Sequence, residues 1–378
     1  MNVSEFLKLH GWQVVFYAFA TVSLIQVLYY WAFFSRVAFF KPRKKEKSQQ
    51  HPVSVIVCAR DEAANLANYL PGVLVQTYPT THEVIVVNDN SVDETKYLLD
   101  EFKKTFKHLH VVNLEYEAKL IPGKKYPLSI GIKEAKHEVV MLTDADCLPV
   151  SEFWMQKIQD GFGDGIEIVL GYGSYNKRPG LLNKLIRFET FHTAIQYLSY
   201  ALAGTPYMGV GRNLSYTKRL FFNNKGFSSL NHVPGGDDDL FINMVATKNN
   251  TSVVIDHDAI TLSEPKKEWK DWVRQKARHY STGKFYKAKH RFLLGLYSIT
   301  HFLFYPLFIG SILFFDWRVV LGIFLVRFIS QGLVFYKSME KLNEKDLWPW
   351  WFFLDIWMFC YYLIFAPALW KKPRQTWN

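Results

Sequence analysis

The chain has few cysteines. Its 378 residues include three, Cys58, Cys147 and Cys360, which lie far apart in the sequence. Their number and spacing do not match the dense pairing of a disulfide-rich secreted domain or the close spacing of a zinc site. We therefore predict a protein of a reducing compartment, in which each thiol is a small buried side chain.

Charged residues are absent from the apolar stretch Trp12 to Phe34. About 20 apolar residues are enough to cross a bilayer, so this stretch predicts a transmembrane anchor within residues 1–40. No cleavage site of small residues follows it, which argues against a signal peptide. Similar runs near the other end predict about three C-terminal spans within residues 292–370: Phe292 to Phe315, Val319 to Tyr336, and Leu347 to Trp370.

Two of the C-terminal runs contain a charge, Arg327 in the second and Asp355 in the third. A charge in a bilayer is costly unless it faces protein or water. One anchor plus three spans would also place the basic tail Lys371, Lys372 and Arg374 outside the cell, against the positive-inside tendency. Either the tail departs from that tendency, or one of these segments lies flat or re-enters the membrane.

Acidic residues are outnumbered, 34 against 45 Lys and Arg, and the basic excess is clustered. One cluster, Arg36 to Lys47, directly follows the first apolar run, and ten basic residues lie between Lys266 and Arg291. Basic residues beside apolar spans favour contact with anionic lipid headgroups over nucleic acid. We predict an integral protein of the cell (inner) membrane, with its soluble domain in the cytoplasm and a basic interfacial helix region at 264–291.

The middle of the chain, residues 51–263, alternates short apolar runs with helical patterns. The runs Val53 to Cys58, Glu83 to Val87, His110 to Leu114 and Glu138 to Thr143 predict strands, and Glu62 to Leu74, Asp93 to Phe106 and Leu128 to Ala135 predict helices. Strands that alternate with helices indicate an α/β domain with a mostly parallel sheet. Ligands of such sheets bind beyond the carboxyl ends of the strands.

Acidic turns follow three of these strands. They are Arg60-Asp61-Glu62, Asn88-Asp89-Asn90 and Asp144-Ala145-Asp146. Asp and Asn are also common turn and cap residues, which is the simpler explanation for any one of these turns. Three turns at successive strand ends would converge on one crevice, where the carboxylates repel each other unless a cation offsets them. A hard divalent cation that also bridges a diphosphate fits such a crevice.

Four further motifs carry candidate site residues, each with a plainer alternative. Gly123-Lys124-Lys125 precedes a helix, and its lysine could contact a phosphate or only solvent. Gly209 to Asn213 is a glycine turn, which would let the backbone approach a ligand or serve only as a structural turn. Gly235 to Leu240 contains three adjacent acids, more than a helix cap needs, so we expect a catalytic base among them. Gln275 to His279 lies in an interleaved basic and aromatic stretch, Trp269 to Tyr286, which is typical of an interfacial helix.

These motifs together resemble glycosyltransferase family 2, the inverting enzymes of the GT-A fold. The segments that carry the resemblance are VSVIVCARDEAANL, QTYPTTHEVIVVNDNSVDET, GKKYPLSIGI, LTDADCLP, GVGRNLSYTKRLF, GGDDDL and QKARH, between Val53 and Tyr286. Four positions depart from the family pattern: Asp61 replaces Asn, Asn88 replaces Asp, Gly236 replaces Glu, and His279 replaces Trp. The resemblance implies an α/β, Rossmann-like GT-A domain at 51–263 that uses a nucleotide-diphosphate sugar and Mg²⁺ or Mn²⁺.

The resemblance also implies roles for individual residues. Asp237 would be the catalytic base, with Asp238 as the fallback, and Asp146 with Asp144 would hold the metal. The implied substrate-binding residues are Arg60, Asp61, Glu62, Asp89, Lys124, Asp144, Gly211, Arg212, Gln275 and Arg278.

Three hypotheses on function stay open at this point. The first is a metal-dependent transfer of one sugar to a membrane-associated lipid or glycan acceptor, without nucleic acid as a partner. The second is a processive polysaccharide synthase, which four spans and His279 disfavour. The third is an inactive membrane scaffold, which the intact acids at 144, 146 and 237 disfavour.

Overall fold

The computed structural model describes residues 3–42, 50–115 and 123–369. It divides into two compact units. The helical unit comprises Met1–Phe40 and Lys287–Pro367, and the sheet unit comprises Lys41–Tyr286 and Ala368–Asn378. The basic residues Arg43, Lys44, Lys45 and Lys47, Trp370 and the basic tail lie outside the described residues.

The helices are, in chain order, α1 (Val3–Tyr29), α2 (Ser35–Ala38), α3 (Ala63–Leu74), α4 (Thr95–Thr105), α5 (Lys125–Glu134), α6 (Trp154–Gln159), α7 (Leu181–Leu202), α8 (Lys218–Asn223), α9 (Asp239–Val245), α10 (Trp269–Tyr280), α11 (Ala288–Phe314), α12 (Trp317–Lys341) and α13 (Trp351–Phe365). A π-helical turn, Tyr30–Phe34, joins α1 to α2, and a 3-10 helix, Lys345–Trp350, precedes α13.

The strands are β1 (Val53–Ala59), β2 (His82–Asp89), β3 (Leu109–Leu114), β4 (Val139–Asp144), β5 (Cys147–Pro149), β6 (Ile168–Leu170), β7 (Gly173–Tyr175), β8 (Leu214–Thr217), β9 (Thr251–Val253) and β10 (Thr261–Ser263). A seven-stranded sheet has the order β3-β2-β1-β4-β8-β6-β9, and a smaller sheet has the order β5-β10-β7.

The predicted parallel sheet is confirmed for its first four strands. β1 pairs in parallel with both β2 and β4, and β2 pairs in parallel with β3. The sheet then changes direction, because β8 runs antiparallel to both β4 and β6. β1 is buried along its whole length, which explains its continuous β-branched and apolar sequence.

Helices cover both faces of the parallel strands. Alternate residues of β1, such as Val55 and Val57, pack in one apolar core with Leu66 of α3 and Leu99 of α4. α5 covers the opposite face, where a Cβ on Gly131 would lie 2.7 Å from Cγ2 of Ile56. Glycine at this position therefore permits the close approach of α5 to the sheet.

Two predicted helices begin later than their sequence patterns indicate, because polar residues cap them. α4 begins at Thr95, whose N–H donates to Oδ1 of Asp93 at 3.0 Å. α3 begins at Ala63, whose N–H donates to Oδ2 of the same carboxylate at 3.1 Å. One aspartate thus satisfies N–H groups at the start of two helices, which fixes both beside the first acidic turn.

The helical unit contains four helical stretches that are long and apolar enough to cross a bilayer. They are Gly11–Ala38, Ala288–Phe314, Trp317–Lys341 and Lys345–Ala368. The predicted membrane helices at the two ends of the chain are therefore confirmed in length and composition. Contacts between α1 and α11 include a hydrogen bond of 2.8 Å from Gln26 Nε2 to Thr300 Oγ1.

The two charges predicted within the spans lie together in a buried polar cluster. Both guanidinium NH groups of Arg327 lie 3.1 Å from Oδ2 of Asp355. His301, Tyr305 and Gln331 also contact the same carboxylate, at 2.6 to 2.8 Å. Arg327 and Asp355 are at most 1% exposed, so each charge faces protein and is compensated there.

Candidate functional site

The acidic turns lie side by side at the carboxyl edge of the sheet. Ala59 of β1 is paired with Asn88 of β2, and Cys58 of β1 is paired with Asp144 of β4. The chain leaves each strand within two residues of these pairs, so the turns that follow are adjacent. Acids from different segments also act on the buried Cys58 thiol. Burial, together with Asp237, Asp144 and Asp89, raises its pKa to about 12 against the opposing effect of Lys124.

The first two turns are bound to each other. The carboxylate of Asp61 accepts a hydrogen bond of 2.7 Å from the N–H of Val92, and its own N–H donates to Oγ of Ser91 at 3.0 Å. Asp61 has a left-handed backbone (φ +55°), which is uncommon outside glycine and asparagine. A guanidinium NH of Arg60 lies 4.0 Å from a carboxylate oxygen of the buried Asp89. These predicted residues are therefore joined in one rim of the crevice.

Glu62 connects this rim to the third turn. Burial, and then Asp146 and Asp144, raise the pKa of Glu62, while a hydrogen bond from Asn65 acts in the opposite direction. The pairing of β1 with β4 places the turn of Glu62 beside both acids of the Asp-x-Asp sequence, in agreement with this effect. The structure thus brings together members of all three acidic turns.

Asp144 forms an ion pair with Lys124, the lysine that precedes α5. Burial opposes ionisation of Asp144, but Lys124, Arg212 and Arg278 outweigh it and lower its pKa. The ammonium of Lys124 thus lies on a carboxylate of the same crevice, and its contact with a phosphate stays a prediction. Residues from three other segments therefore act on one carboxylate.

Asp146 is compensated less directly, by the charges of Arg212 and Lys124 and by a hydrogen bond of 3.5 Å from the Cys147 thiol. Burial and the nearby Asp144 raise its pKa, and within the described residues no lysine or arginine forms an ion pair with it. Carboxylate oxygens of Asp144 and Asp146 lie within 4.8 Å of each other and of the Cys147 sulfur. Two convergent carboxylates, one of them without an ion-pair partner among the described residues, fit a hard divalent cation with oxygen ligands.

The glycine turn at 209–213 lies against the acid-rich motif. The N–H of Gly211 donates to Oδ2 of Asp238 at 2.8 Å. A Cβ at Gly211 would meet that oxygen at 3.4 Å, so the small residue permits the contact. Arg212 stacks on the ring of Tyr175, with 4.3 Å from its guanidinium carbon to the ring centroid, and donates to the carbonyl of Ser174 at 3.1 Å.

The three adjacent acids have different partners. Asp238 accepts hydrogen bonds from Gly211 and from the N–H of Asp239, at 2.8 and 2.7 Å, and thereby caps α9. Asp239 accepts from the hydroxyl groups of Thr282 and Tyr286, at 2.6 and 2.8 Å. Among the described residues, none donates a hydrogen bond to the carboxylate of Asp237. Asp237 thus differs from its two neighbours in having no hydrogen-bond donor among the described residues.

The backbone directly before the three adjacent acids has a conformation that favours glycine. Gly235 and Gly236 both have positive φ, +83° and +81°. A Cβ on Gly236 would lie 2.5 Å from a side-chain carbon of Leu240, so no other residue fits there without displacement. The Glu of the family pattern would be strained in this backbone conformation and would displace Leu240.

α10 carries the last predicted pair, Gln275 and Arg278. Both side chains are partly exposed, and Arg278 acts electrostatically on Asp144. The opposite face of the helix is buried through Trp272 and Lys276, which are 1% and 7% exposed. The helix ends at Tyr280, and a 3-10 turn, Gly283–Phe285, completes the predicted aromatic and basic stretch.

Sequence reasoning missed several contacts of the site. Thr282, Tyr286 and Glu189 were not singled out, and Lys125 was noted only beside Lys124. Lys125 is fully buried and donates to the carbonyl of Val233, in the loop that leads to the acid triad. A cavity of about 450 Å³ that includes Lys136 and Thr217 lies near the amino ends of β1 and β4, away from these residues.

Comparisons with known proteins identify the family of this chain. Residues 51–282 match the sequence model of the family described as "Glycosyltransferase like family 2". A poly-beta-1,6-N-acetyl-D-glucosamine synthase of Staphylococcus epidermidis is 36% identical over 103 residues, 27% of this chain and 24% of the relative. A beta-monoglucosyldiacylglycerol synthase of Trichormus variabilis is 29% identical over 126 residues, 32% of this chain and 26% of the relative.

One solved structure resembles almost the whole chain. It is the mannosyltransferase PcManGT from Pyrobaculum calidifontis, in complex with GDP-Man and Mn²⁺, with a TM-score of 0.60 and 17% identity. The alignment covers 95% of this chain and 98% of that one, so the two share a fold. The predicted GT-A fold is confirmed, whereas the matched segments span only about a quarter of the two curated relatives. The chain belongs to glycosyltransferase-like family 2 and is a glycosyltransferase.

Proposed function

We propose that the protein is an inverting glycosyltransferase that moves a sugar from a nucleotide-diphosphate donor to a membrane-associated acceptor, a lipid or a lipid-linked glycan. The observation that carries this proposal is that the three adjacent acids differ in the hydrogen bonds that their carboxylates accept. Asp238 and Asp239 are engaged by hydrogen bonds from the protein, and Asp237 is not, among the residues described. A free carboxylate at the rim of a donor crevice suits a general base.

Asp237 removes the proton from the acceptor hydroxyl in this proposal. The acceptor oxygen forms a bond to the anomeric carbon while the bond from that carbon to the diphosphate oxygen breaks, and the nucleoside diphosphate leaves with the electron pair. Attack from the face opposite the leaving group inverts the anomeric centre. Asp238 is a poor alternative, since both of its oxygens already accept backbone hydrogen bonds.

The donor side is assigned to the acidic rim and the cations around Asp144. Arg60, Asp61, Glu62 and Asp89 hold the nucleoside, and Asp146 with Asp144 holds Mg²⁺ or Mn²⁺. A bound cation supplies positive charge that stabilises the leaving diphosphate. Support for this class of donor and cation comes from PcManGT, which was solved with GDP-Man and Mn²⁺.

Arg278 and Arg212 contribute further positive charge to the same place. Both act on the Asp144 carboxylate, which supports the assignment of their side chains to the donor crevice. As the diphosphate departs, its growing negative charge is offset by fixed cations that need no rearrangement. Lys124, already paired with Asp144, keeps that carboxylate ionised for its role at the metal.

A membrane-associated acceptor follows from the character of the rest of the chain. Four helices are long and apolar enough to span a bilayer, and basic residues flank them at Arg36, Lys41 and Lys287 to Arg291. We propose that the catalytic domain, residues 51–263, faces the cytoplasm from the cell (inner) membrane, with 264–291 at the lipid surface. The Trichormus relative is named for a glycolipid, and the Staphylococcus relative for a polymer.

The test is a transfer assay on the purified full chain in detergent. Uridine and guanosine diphosphate sugars are compared, with Mg²⁺ or Mn²⁺, using membrane lipid extract or water-soluble sugars as acceptors. We expect cation-dependent transfer of one sugar to lipid, and loss of it in Asp146→Ala. Transfer to soluble acceptors alone would contradict the membrane acceptor, long polymer would favour the processive alternative, and activity unchanged in Asp146→Ala would overturn the metal role.

A further inference from the structure

A buried ion pair joins α10 to α7. The ammonium of Lys276 contacts a carboxylate oxygen of Glu189, and the two side chains are 9% and 7% exposed. Oγ1 of Thr193 donates to the other carboxylate oxygen at 3.1 Å. Glu189 lies in the middle of a 22-residue helix whose residues are mostly buried, so its position is fixed by the packing of α7.

An ion pair at this place is an unusual way to attach a helix. Removing two charges from water costs free energy, and an apolar pair of similar volume stabilises a fold at least as well. What a buried pair provides in addition is orientation, because only one arrangement brings the charges together and any other leaves one uncompensated. The pair therefore restricts the rotation and the axial position of α10.

The position of Lys276 within α10 connects that restriction to the donor crevice. Lys276 lies directly after Gln275 and two residues before Arg278, on the same helix. Trp272, one turn earlier and 1% exposed, marks the same inward face. Because a helix turns about 100° per residue, fixing the direction of Lys276 also fixes the direction in which Arg278 leaves the helix.

We propose that the Lys276–Glu189 pair is a positioning device for Arg278, which sets the guanidinium at the place where the leaving diphosphate develops its charge. The inference rests on the proposed role of Arg278 as a donor-side cation. Lys276 and Glu189 are positioning residues, since they act through α10. The site is sensitive to such placement, as displacement of a catalytic group by about 1 Å reduces turnover on the order of 100-fold.

The experiment compares three variants of the full-length protein in detergent. Glu189→Gln keeps the shape and removes the charge, Lys276→Arg keeps the charge, and Lys276→Glu combined with Glu189→Lys exchanges the partners. Glu167→Gln, which breaks the exposed Arg219–Glu167 pair of 3.3 Å, is the matched control. The readouts are affinity for the nucleoside diphosphate, kcat, and hydrogen–deuterium exchange of residues 269–280.

For Glu189→Gln we expect faster exchange of α10, nucleoside diphosphate affinity weakened roughly tenfold, and kcat reduced on the order of 10- to 100-fold. Lys276→Arg and the exchanged pair should regain most of the affinity, and Glu167→Gln should match the wild type. A lowered melting temperature with affinity and kcat unchanged would mean that the pair only stabilises the fold, and would overturn the inference.

Arg278→Ala separates this inference from the proposal on which it rests. If Arg278→Ala weakens nucleotide affinity while Glu189→Gln leaves it unchanged, the positioning role is wrong and the role of Arg278 stands. If Arg278→Ala itself leaves nucleotide affinity unchanged, the donor-side role of Arg278 is wrong, and the positioning role is overturned with it.

Discussion

The backbone N–H of Gly211 donates a hydrogen bond of 2.8 Å to Oδ2 of Asp238. This bond commits Asp238 to holding the glycine turn against the start of α9. The proposal that Asp237 is the general base rests on this difference, since Asp237 has no comparable bond among the described residues.

Substitution Asp237→Asn should abolish transfer while the nucleotide still binds. Loss of a general base typically reduces turnover by about 10²- to 10⁴-fold, and the amide preserves the shape of the carboxyl group. The measurement is kcat with saturating donor and acceptor, alongside nucleoside diphosphate affinity by calorimetry. A parallel loss of affinity and turnover would instead assign Asp237 to donor binding.

Substitution Asp146→Asn should weaken the binding of Mn²⁺ more than Asp144→Asn does. Asp144 already has Lys124 as a counter-ion, whereas Asp146 has no ion-pair partner among the described residues, so a bound cation should offset more of its charge. We expect a difference of at least tenfold in the Mn²⁺ dissociation constant, measured by electron paramagnetic resonance without donor. Equal effects of the two substitutions would show that both acids are equivalent ligands.

Stability should decrease as the pH rises towards 8. Burial, and then Asp237 and Asp239, raise the pKa of Asp238 from its usual 3.8 to about 8. Between these values the folded state retains a proton that the unfolded state has released, so raising the pH favours unfolding, by at most about 1.4 kcal/mol per pH unit. Above about pH 8 both the folded and the unfolded state have released this proton, so Asp238 no longer changes the dependence of stability on pH.

The control for the pH effect is a comparison of melting temperatures between pH 5 and 9. Asp238→Asn should give a flatter profile than the wild type, whereas Asp164→Asn, at an exposed position, should keep the wild-type slope. The same slope in wild type and Asp238→Asn would show that other groups are responsible.

Breaking the buried cluster of the helical unit should be strongly destabilising. Arg327→Met leaves Asp355 buried without its cation, and removing one partner of such a pair costs about 3 to 5 kcal/mol. The double variant Arg327→Met with Asp355→Leu should recover much of that loss, because no uncompensated charge remains. Arg318→Gln, at an exposed position of the same helix, should have little effect on unfolding in detergent.

The sequence predicts the parallel part of the sheet well, for a physical reason. β1, β2 and β4 are buried on both faces, so they consist of continuous runs such as Val84 to Val87 that differ clearly from their surroundings. The acidic residues directly follow these runs, and parallel strands place their carboxyl ends together. Convergence of Asp89, Asp144 and Asp146 could therefore be predicted without coordinates.

The remaining strands could not be predicted in this way. β6, β8 and β9 have three or four residues each, too few to show a period, and the reversal of β8 depends on its neighbours β4 and β6. The contacts that hold the site are also distant in sequence: Lys276 with Glu189, and Asp239 with Tyr286. Each depends on tertiary packing, which no local pattern encodes.

The small sheet β5-β10-β7 connects the turn that contains Asp146 with the segment that leads to α10. Its strand β5 begins at Cys147, one residue after Asp146, and its strand β10 leads through five residues to α10. Asp146 and the segment that leads to Arg278 are thus connected through the paired residues Cys147 and Ser263. A substitution that disrupts β10 should consequently displace both the Asp146 turn and the start of α10.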